Sequence, residues 1–225
     1  MKGIAYGVGV GPGDPELLTL KAIKIIREND VIAVAGSDAR GSVAYKIASA
    51  VIPEMENKTI LSLHMPMIRD RNALSIEHEK CAKQIESFLD MGKNVVYITL
   101  GDPTVYCTFS YLQHFLERDG YEVELISGIP SFCAAAARLN TPLCEWDEPL
   151  RIIPAVHVEA ADMLSSDNCV IMKSASRMKE VKQILEASGR TVKAVENCGM
   201  KDERVFLSAD EIPDEAGYFS LIIVK

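Results

Sequence analysis

The chain has 225 residues, of which 48% are hydrophobic and 25% charged, an ordinary balance for a globular protein with room for one large domain or two small ones. Its formal net charge is −8 and its pI about 5.1, which weighs against a nucleic-acid partner, since such proteins carry a basic balance or stripe. No apolar run approaches the roughly 18 residues that span a bilayer. The opening Met1-Lys2-Gly3-Ile4-Ala5-Tyr6 has no secretion-signal plan, so the expectation is a cytoplasmic protein without membrane contact.

In chain order, residues 4–10 read as a buried strand running into a glycine-rich turn. Residues 16–28 read as a helix with Pro15 at its first position and Asp14 as its N-cap. Residues 31–34 form a short apolar strand, 42–51 a helix and 59–63 a strand. Leu74, Cys81, Ile85 and Phe88 recur at helical spacing, with Gly92 just past the helix end. A β-prone run over 94–100 ends at Gly101-Asp102-Pro103, and a helix over 110–118 closes at Asp119-Gly120. This alternation predicts a parallel α/β sheet. The second half has strands at 122–126, 169–172, 191–196, 204–207 and 219–224. It has helices at 131–139 and 177–188, few for so many strands, which predicts a mixed sheet. The expected organisation is an α/β protein of two lobes, 1–118 and 121–225.

The six cysteines, Cys81, Cys107, Cys133, Cys144, Cys169 and Cys198, are scattered without a C-x-x-C pair. His64, His78, His114 and His157 are equally dispersed, so no metal motif is expected and the thiols read as small apolar residues.

Three segments are candidates for chemistry. The first is Gly7-Val8-Gly9-Val10-Gly11-Pro12-Gly13-Asp14-Pro15-Glu16-Leu17-Leu18-Thr19, where glycines let backbone pass close to a ligand or simply make a tight turn. A dinucleotide fingerprint fails: from Gly7 the sixth position is Pro12, and from Gly9 it is Asp14. Pro12 and Pro15 remove donors a phosphate cradle needs, and no G-K-[ST] follows. The second is Leu100-Gly101-Asp102-Pro103-Thr104-Val105-Tyr106, past a strand's carboxyl end, where open α/β sheets bind ligands. A lone Asp102 here also reads as a turn residue or helix cap. The third is Ser127-Gly128-Ile129-Pro130-Ser131-Phe132, leading into Cys133-Ala134-Ala135-Ala136-Ala137, whose small residues suit close approach of a flat ligand or of another helix.

Taken together and in this order, these segments resemble the tetrapyrrole methylase family, the class III S-adenosylmethionine (SAM)-dependent methyltransferases. The resemblance runs the length of the chain. It adds Met172 against the adenine side and Val195-Glu196-Asn197 near the nucleoside. It implies a two-lobed homodimer with SAM as co-substrate in the cleft between lobes and no protein-bound metal. Pro12, Leu100, Gly101, Asp102, Val105, Tyr106, Pro130, Ser131, Phe132, Met172, Asn197 and Cys198 are the implied SAM contacts, and Gly11, Gly13, Asp14, Arg40 and Arg138 the implied substrate contacts. Within the family, Tyr6 to Pro15, Met65-Pro66-Met67 and Gly101 to Phe109 are most similar to enzymes acting on carbon 20 of precorrin-2 or cobalt-factor II, in corrin synthesis. Relatives that methylate uroporphyrinogen carry an acidic proton acceptor at the end of the second strand, where this chain has Ala35. That removes uroporphyrinogen as the expected substrate and leaves no catalytic base to name. An electron-rich, enamine-like carbon can attack directly and lose its proton afterwards, with Asp38 or His64 as conceivable acceptors. An acidic protein must meet a substrate rich in carboxylates with a local basic patch, for which Arg40, Lys46, Arg69, Arg71 and Arg138 are the candidates. The rivals are another acceptor on the same fold (a different corrin precursor, a protein side chain as in diphthine synthases, or ribosomal RNA), a non-enzymatic SAM-binding module, and a nucleotide-binding oxidoreductase.

Overall fold

The computed structural model describes residues 1–66, 68, 70–155, 164 and 167–225. The chain divides into two compact units, 1–130 and 131–225.

The first unit alternates strand and helix: β1 (Ile4–Gly9), α1 (Leu20–Glu28), β2 (Val31–Ala35), α2 (Val43–Val51), β3 (Thr59–Leu63), α3 (Arg71–Leu89), β4 (Val95–Thr99), α4 (Phe109–Arg118) and β5 (Glu122–Ile126). All five strands are parallel, in the order β3-β2-β4-β1-β5. Because side chains alternate across a strand, each buried strand feeds two cores. Val8, Ile32, Val34, Val96 and Ile98 pack with Ala22 and Ile26 of α1 and Ala44, Ile47 and Ala48 of α2. Val31, Ala33, Val95 and Tyr97 pack with Cys81, Ile85 and Leu89 of α3 and Phe109, Leu112 and Leu116 of α4. Helix starts are fixed by side-chain caps: Thr19, Ser42 and Asp70 accept from the backbone N–H of Ala22, Tyr45 and Ala73.

Two expectations are corrected here. Residues 16–28 do not form one helix. Asp14 caps a 3-10 turn, Pro15–Leu17, and α1 starts afresh under its own cap, Thr19. The boundary between lobes is not at 118–121 either. β5 pairs with β1 from Ile4↔Glu122 to Val8↔Ile126, so the first unit runs on to Pro130. A chain turn at Asp119-Gly120 is only an α–β connection when the next strand completes the same sheet.

The second unit comprises α5 (Ser131–Arg138), β6 (Leu150–Pro154), β7 (Asn168–Met172), α6 (Met178–Ser188), β8 (Val192–Glu196), β9 (Arg204–Phe206) and β10 (Ser220–Val224). Its sheet is mixed, as expected, in the order β6-β7-β10-β8-β9, with only β6 and β7 parallel. Met178, Val181 and Leu185 of α6 cover the face carrying Ile171, Ala194, Ile222 and Val224. Leu221 and Ile223 are buried on the opposite side, and α5 packs on β8 and β10. The strand β6 went unpredicted because Pro149 and Pro154 bracket a short run that holds only two Ile and one Leu. Among the described residues no helix is long and apolar enough to cross a membrane. The cysteines divide: Cys81, Cys107, Cys169 and Cys198 are buried as expected, whereas Cys133 and Cys144 are exposed.

The α3–α4 seam supports two predictions. Phe109 is fully buried and stacks on Tyr97 with ring centroids 5.0 Å apart. Phe109→Ala should lower stability by about 3–5 kcal/mol in chemical denaturation. His78 is buried and stacks on Tyr111 at 4.7 Å, and burial lowers its pKa from the ordinary 6.5. The folded protein therefore resists protonation that the unfolded chain accepts. The stability His78 contributes is complete above pH 6.5 and declines as pH falls below it. Denaturation midpoints of His78→Phe should show a smaller decline than wild type between about pH 7 and 5.

Candidate functional site

In the first sheet, β1 and β4 are neighbours whose following helices lie on opposite faces, α1 with the first core and α4 with the second. The loops leaving their carboxyl ends diverge, which is the switch point where open α/β sheets bind ligands. The loops after β1, β4 and β5 meet there at van der Waals limits. Gly101, with φ +69°, bridges Gly11 through N–H···O bonds of 2.8 and 3.3 Å. The Gly101 carbonyl oxygen lies against both Gly9 and Gly128. A Cβ on either would strike it, and one on Gly9 would also lie 2.7 Å from the Gly128 nitrogen. Thr19 Oγ1 donates to the Ser127 carbonyl at 3.3 Å, tying the β1 loop to the β5 loop.

Asp102 is buried here at 7% exposure. Its Oδ2 accepts from the Gly128 N–H at 3.0 Å, and its Oδ1 accepts from the Thr104 N–H at 2.8 Å and from the Thr104 hydroxyl. Thr104 and Gly128 lie in the candidate segments, but their bonds to Asp102 were not anticipated from the sequence. An Asp bonding the backbone two residues on is a known turn habit, so Thr104 was within reach, but Gly128, 26 residues away, was not. Beyond Asp102 the loop passes through Tyr106, half-exposed and left-handed at φ +47°. Cys107 then closes the loop with its thiol on Thr99 Oγ1 at 3.3 Å. Beside it, Tyr97 donates to Met65 Sδ at 4.0 Å, and burial pushes the Tyr97 hydroxyl far above its usual pKa.

Gly11, Gly101 and Asp102 meet at this junction, with Pro12, Gly13, Leu100 and Val105 next to them along the chain and at least partly buried, and Asp14 and Tyr106 further along the same loops. Pro130 follows at the end of the β5 loop. Ala35 is the last residue of β2, on the same sheet edge, with Asp38 in the loop beyond it accepting from the Gly41 N–H at 2.9 Å. His64 opens the loop after β3 and is exposed.

In the second unit, register places Met172 opposite Leu221 and Glu196 opposite Ser220, so Met172, Asn197 and Cys198 share one end of the sheet. Two residues there are left-handed without being glycine: Lys173 at φ +56° and Asn197 at φ +53°. Such conformations gather where a binding loop is over-determined by its surroundings. Asn197 is held by the Asp202 carboxylate at 2.8 Å, and Glu196 by Arg204 at 2.6 Å and the Gly217 N–H at 2.5 Å. Ser131 and Phe132 open α5.

The basic candidates fare differently. Arg40 donates to the Tyr45 hydroxyl at 2.8 Å and the Glu56 carbonyl, stacked over the Tyr45 ring, and Arg138 pairs with Glu203 at 2.5 Å. Both thus have structural work in their own units. Lys46 and Arg71 are exposed, while Arg69, Met67 and His157 fall outside the described residues.

Residues 5–213 match the family described as Tetrapyrrole (Corrin/Porphyrin) Methylases. The chain belongs to the tetrapyrrole methylase family. It is 38% identical over 224 residues to a probable cobalt-precorrin-2 C(20)-methyltransferase of Methanocaldococcus jannaschii, covering 98% of this chain and 95% of that protein. It is 30% identical to the precorrin-2 C(20)-methyltransferase of a Sinorhizobium species, covering 99% and 95%, and 30% identical to the cobalt-precorrin-2 C(20)-methyltransferase of Salmonella typhimurium, covering 100% and 97%. In fold it matches a cobalt precorrin-4 methyltransferase at TM-score 0.76 and 20% identity, covering 98% and 94% of the two chains. It matches the uroporphyrin-III C-methyltransferase of Thermus thermophilus, complexed with S-adenosylhomocysteine, at TM-score 0.72 and 21% identity, covering 99% and 97%.

The junction predicts its own fragility. Gly128→Ala forces the Gly101 carbonyl and the Gly9 backbone apart, and should cost about 1–3 kcal/mol in thermal or urea denaturation. Gly120→Ala, whose Cβ meets nothing but whose φ is +78°, is the control for backbone strain alone.

Proposed function

We propose that the protein is a SAM-dependent methyltransferase that adds a methyl group to carbon 20 of precorrin-2 or its cobalt-bearing counterpart during cobalamin biosynthesis. The observation that carries this reading is the three-loop junction at the switch point, built from the segments that align with full-length relatives of that name. Ala35, with no carboxylate at the end of β2, favours a corrin precursor over uroporphyrinogen.

The residues present fit SAM. The loop from Gly101 to Tyr106 is held in shape by the bonds of Asp102 to Thr104 within it and to Gly128 in the β5 loop, and offers a half-exposed, left-handed Tyr106 at its tip. Leu100, Pro12 and Val105 supply apolar surface, and the backbone of the same loop supplies donors and acceptors for the methionyl and ribose groups. Pro130 ends the β5 loop of the same unit, and Ser131, Phe132, Met172, Asn197 and Cys198 are carried over from the family resemblance as further SAM contacts, Met172 for the adenine. Bound there, SAM supplies a methyl group on a sulfonium, already a good leaving group.

The work left to the protein is alignment and exclusion of water. The new bond joins the methyl carbon to the acceptor carbon, the carbon–sulfur bond breaks with its electron pair going to sulfur, and the acceptor then loses one proton. The electron-rich acceptor needs no strong base to attack. In the same reading Gly11, Gly13 and Asp14 contact the acceptor, and Arg40 and Arg138 are the proposed partners of its carboxylates with whatever donors their internal partners leave over. A homodimer belongs to the same reading and is measured by sedimentation.

Purified protein incubated without oxygen with SAM and either precorrin-2 or cobalt-factor II should yield a tetrapyrrole heavier by one methyl, read by mass spectrometry. Absence of that gain with both acceptors, in protein that binds S-adenosylhomocysteine, would overturn the carbon-20 assignment.

A further inference from the structure

The carboxylate of Asp102 is committed before any ligand arrives. It is 7% exposed and accepts three hydrogen bonds from its own unit, out of roughly four a carboxylate can take. Two come from Thr104, two residues on, and the third from the N–H of Gly128 in the loop after β5. This last bond spans 26 residues and joins two loops that no strand pairing connects, since β4 and β5 lie on opposite sides of β1. The Gly101 oxygen packs into the same joint between Gly9 and Gly128.

From this geometry we infer that Asp102 is a positioning residue rather than a ligand of SAM: its carboxylate latches the β4 loop to the β5 loop, so that the backbone groups that hold SAM are already in place. The inference rests on the assignment of this junction as the SAM site. A charge-assisted bond from a buried N–H to a carboxylate is strong, and a donor left facing no acceptor there is costly. Without the latch, the two loops must be ordered at the moment of binding, and every ligand bears that cost equally. A direct contact would behave differently, since removing its partner group from the ligand would abolish the effect.

Asp102→Asn is nearly isosteric, but whichever way the amide turns, its NH2 opposes either the Gly128 N–H or the Thr104 N–H. Hydrogen exchange of the unliganded protein should show faster exchange at the backbone amide of Gly128. Calorimetry with S-adenosylhomocysteine, 5′-methylthioadenosine (no amino-acid portion) and 5′-deoxy-5′-methylthio-2′,3′-dideoxyadenosine (no ribose hydroxyls) should show affinity losses by one common factor of roughly tenfold. Thr104→Val should give a smaller loss in the same direction, and Thr104→Ser should restore wild-type behaviour. This pair decides the question should Asp102→Asn not fold. Unchanged Gly128 exchange overturns the latch, as does a loss that vanishes for the one probe lacking a particular group. If wild type binds none of the probes, the SAM reading fails, while the exchange result still decides whether Asp102 ties the loops.

Discussion

One backbone oxygen constrains the carboxyl edge of the first sheet. The carbonyl of Gly101 occupies space that side chains at positions 9 and 128 would otherwise take, so the loops after β1, β4 and β5 close on one another backbone to backbone. That approach is possible only because the strand order sets β4 and β5 on either side of β1. The parallel register then brings all three carboxyl ends level, with Gly9 opposite Thr99 and Val8 opposite Ile126. The order of the strands, the absence of side chains at two positions and the buried carboxylate of Asp102 are one arrangement seen at three scales.

The closeness has an energetic side. Bringing polar backbone this near to other backbone, out of water, is tolerable only if each donor and acceptor finds a partner. The Gly11–Gly101 pair exchanges two bonds, Val10 N–H reaches the Thr99 carbonyl at 2.9 Å, and Asp102 accepts the Gly128 N–H. A carboxylate suits the last task because it is a stronger acceptor than an amide. The second unit uses the same device, with buried Glu196 taking the Gly217 N–H and Arg204 at the end of β8. In both units, then, a buried acid at or just past a strand's carboxyl end takes the backbone N–H of a distant loop.

Much of the first unit was legible because its periods are clean. Val31–Ala35 and Val95–Thr99 are continuous apolar runs of strand length. The family resemblance supplied what periodicity could not, the pairing of distant glycine-rich segments into one site. Non-local facts stayed hidden. That β5 returns to pair with β1, moving the boundary from 118–121 to 130, depends on hydrogen bonds between residues more than a hundred positions apart. Arg40 and Arg138 looked like free cations because Tyr45, Glu56 and Glu203 carry no sequence mark as their partners. The break between Leu17 and Leu20 was missed for the opposite reason: two caps, Asp14 and Thr19, lie so close that one apolar helical pattern runs through both.

The division of labour within the first unit bears on how one fold serves several acceptors. The loops after β1, β4 and β5 are bound to each other through main chain, and main-chain contacts tolerate little change. The loops after β2 and β3 are bound differently. The first turns on Asp38 and Gly41 and leans Arg40 on Tyr45, while the second touches the frame through Met65 and the Tyr97 hydroxyl and through the Cys81 thiol on the His64 carbonyl. Side-chain contacts of this kind can be exchanged without disturbing the junction. In a methyl transfer the donor end is the same for every acceptor and calls for a fixed geometry, whereas the acceptor end must differ from enzyme to enzyme. Loops closed through main chain suit the invariant end, where the proposed function puts SAM, while the loops after β2 and β3 can vary with the acceptor beside the β1-loop residues Gly11, Gly13 and Asp14 that the same proposal gives it. Ala35 at the end of β2, where the resemblance leads one to expect an acid in uroporphyrinogen methylases, lies on that exchangeable side.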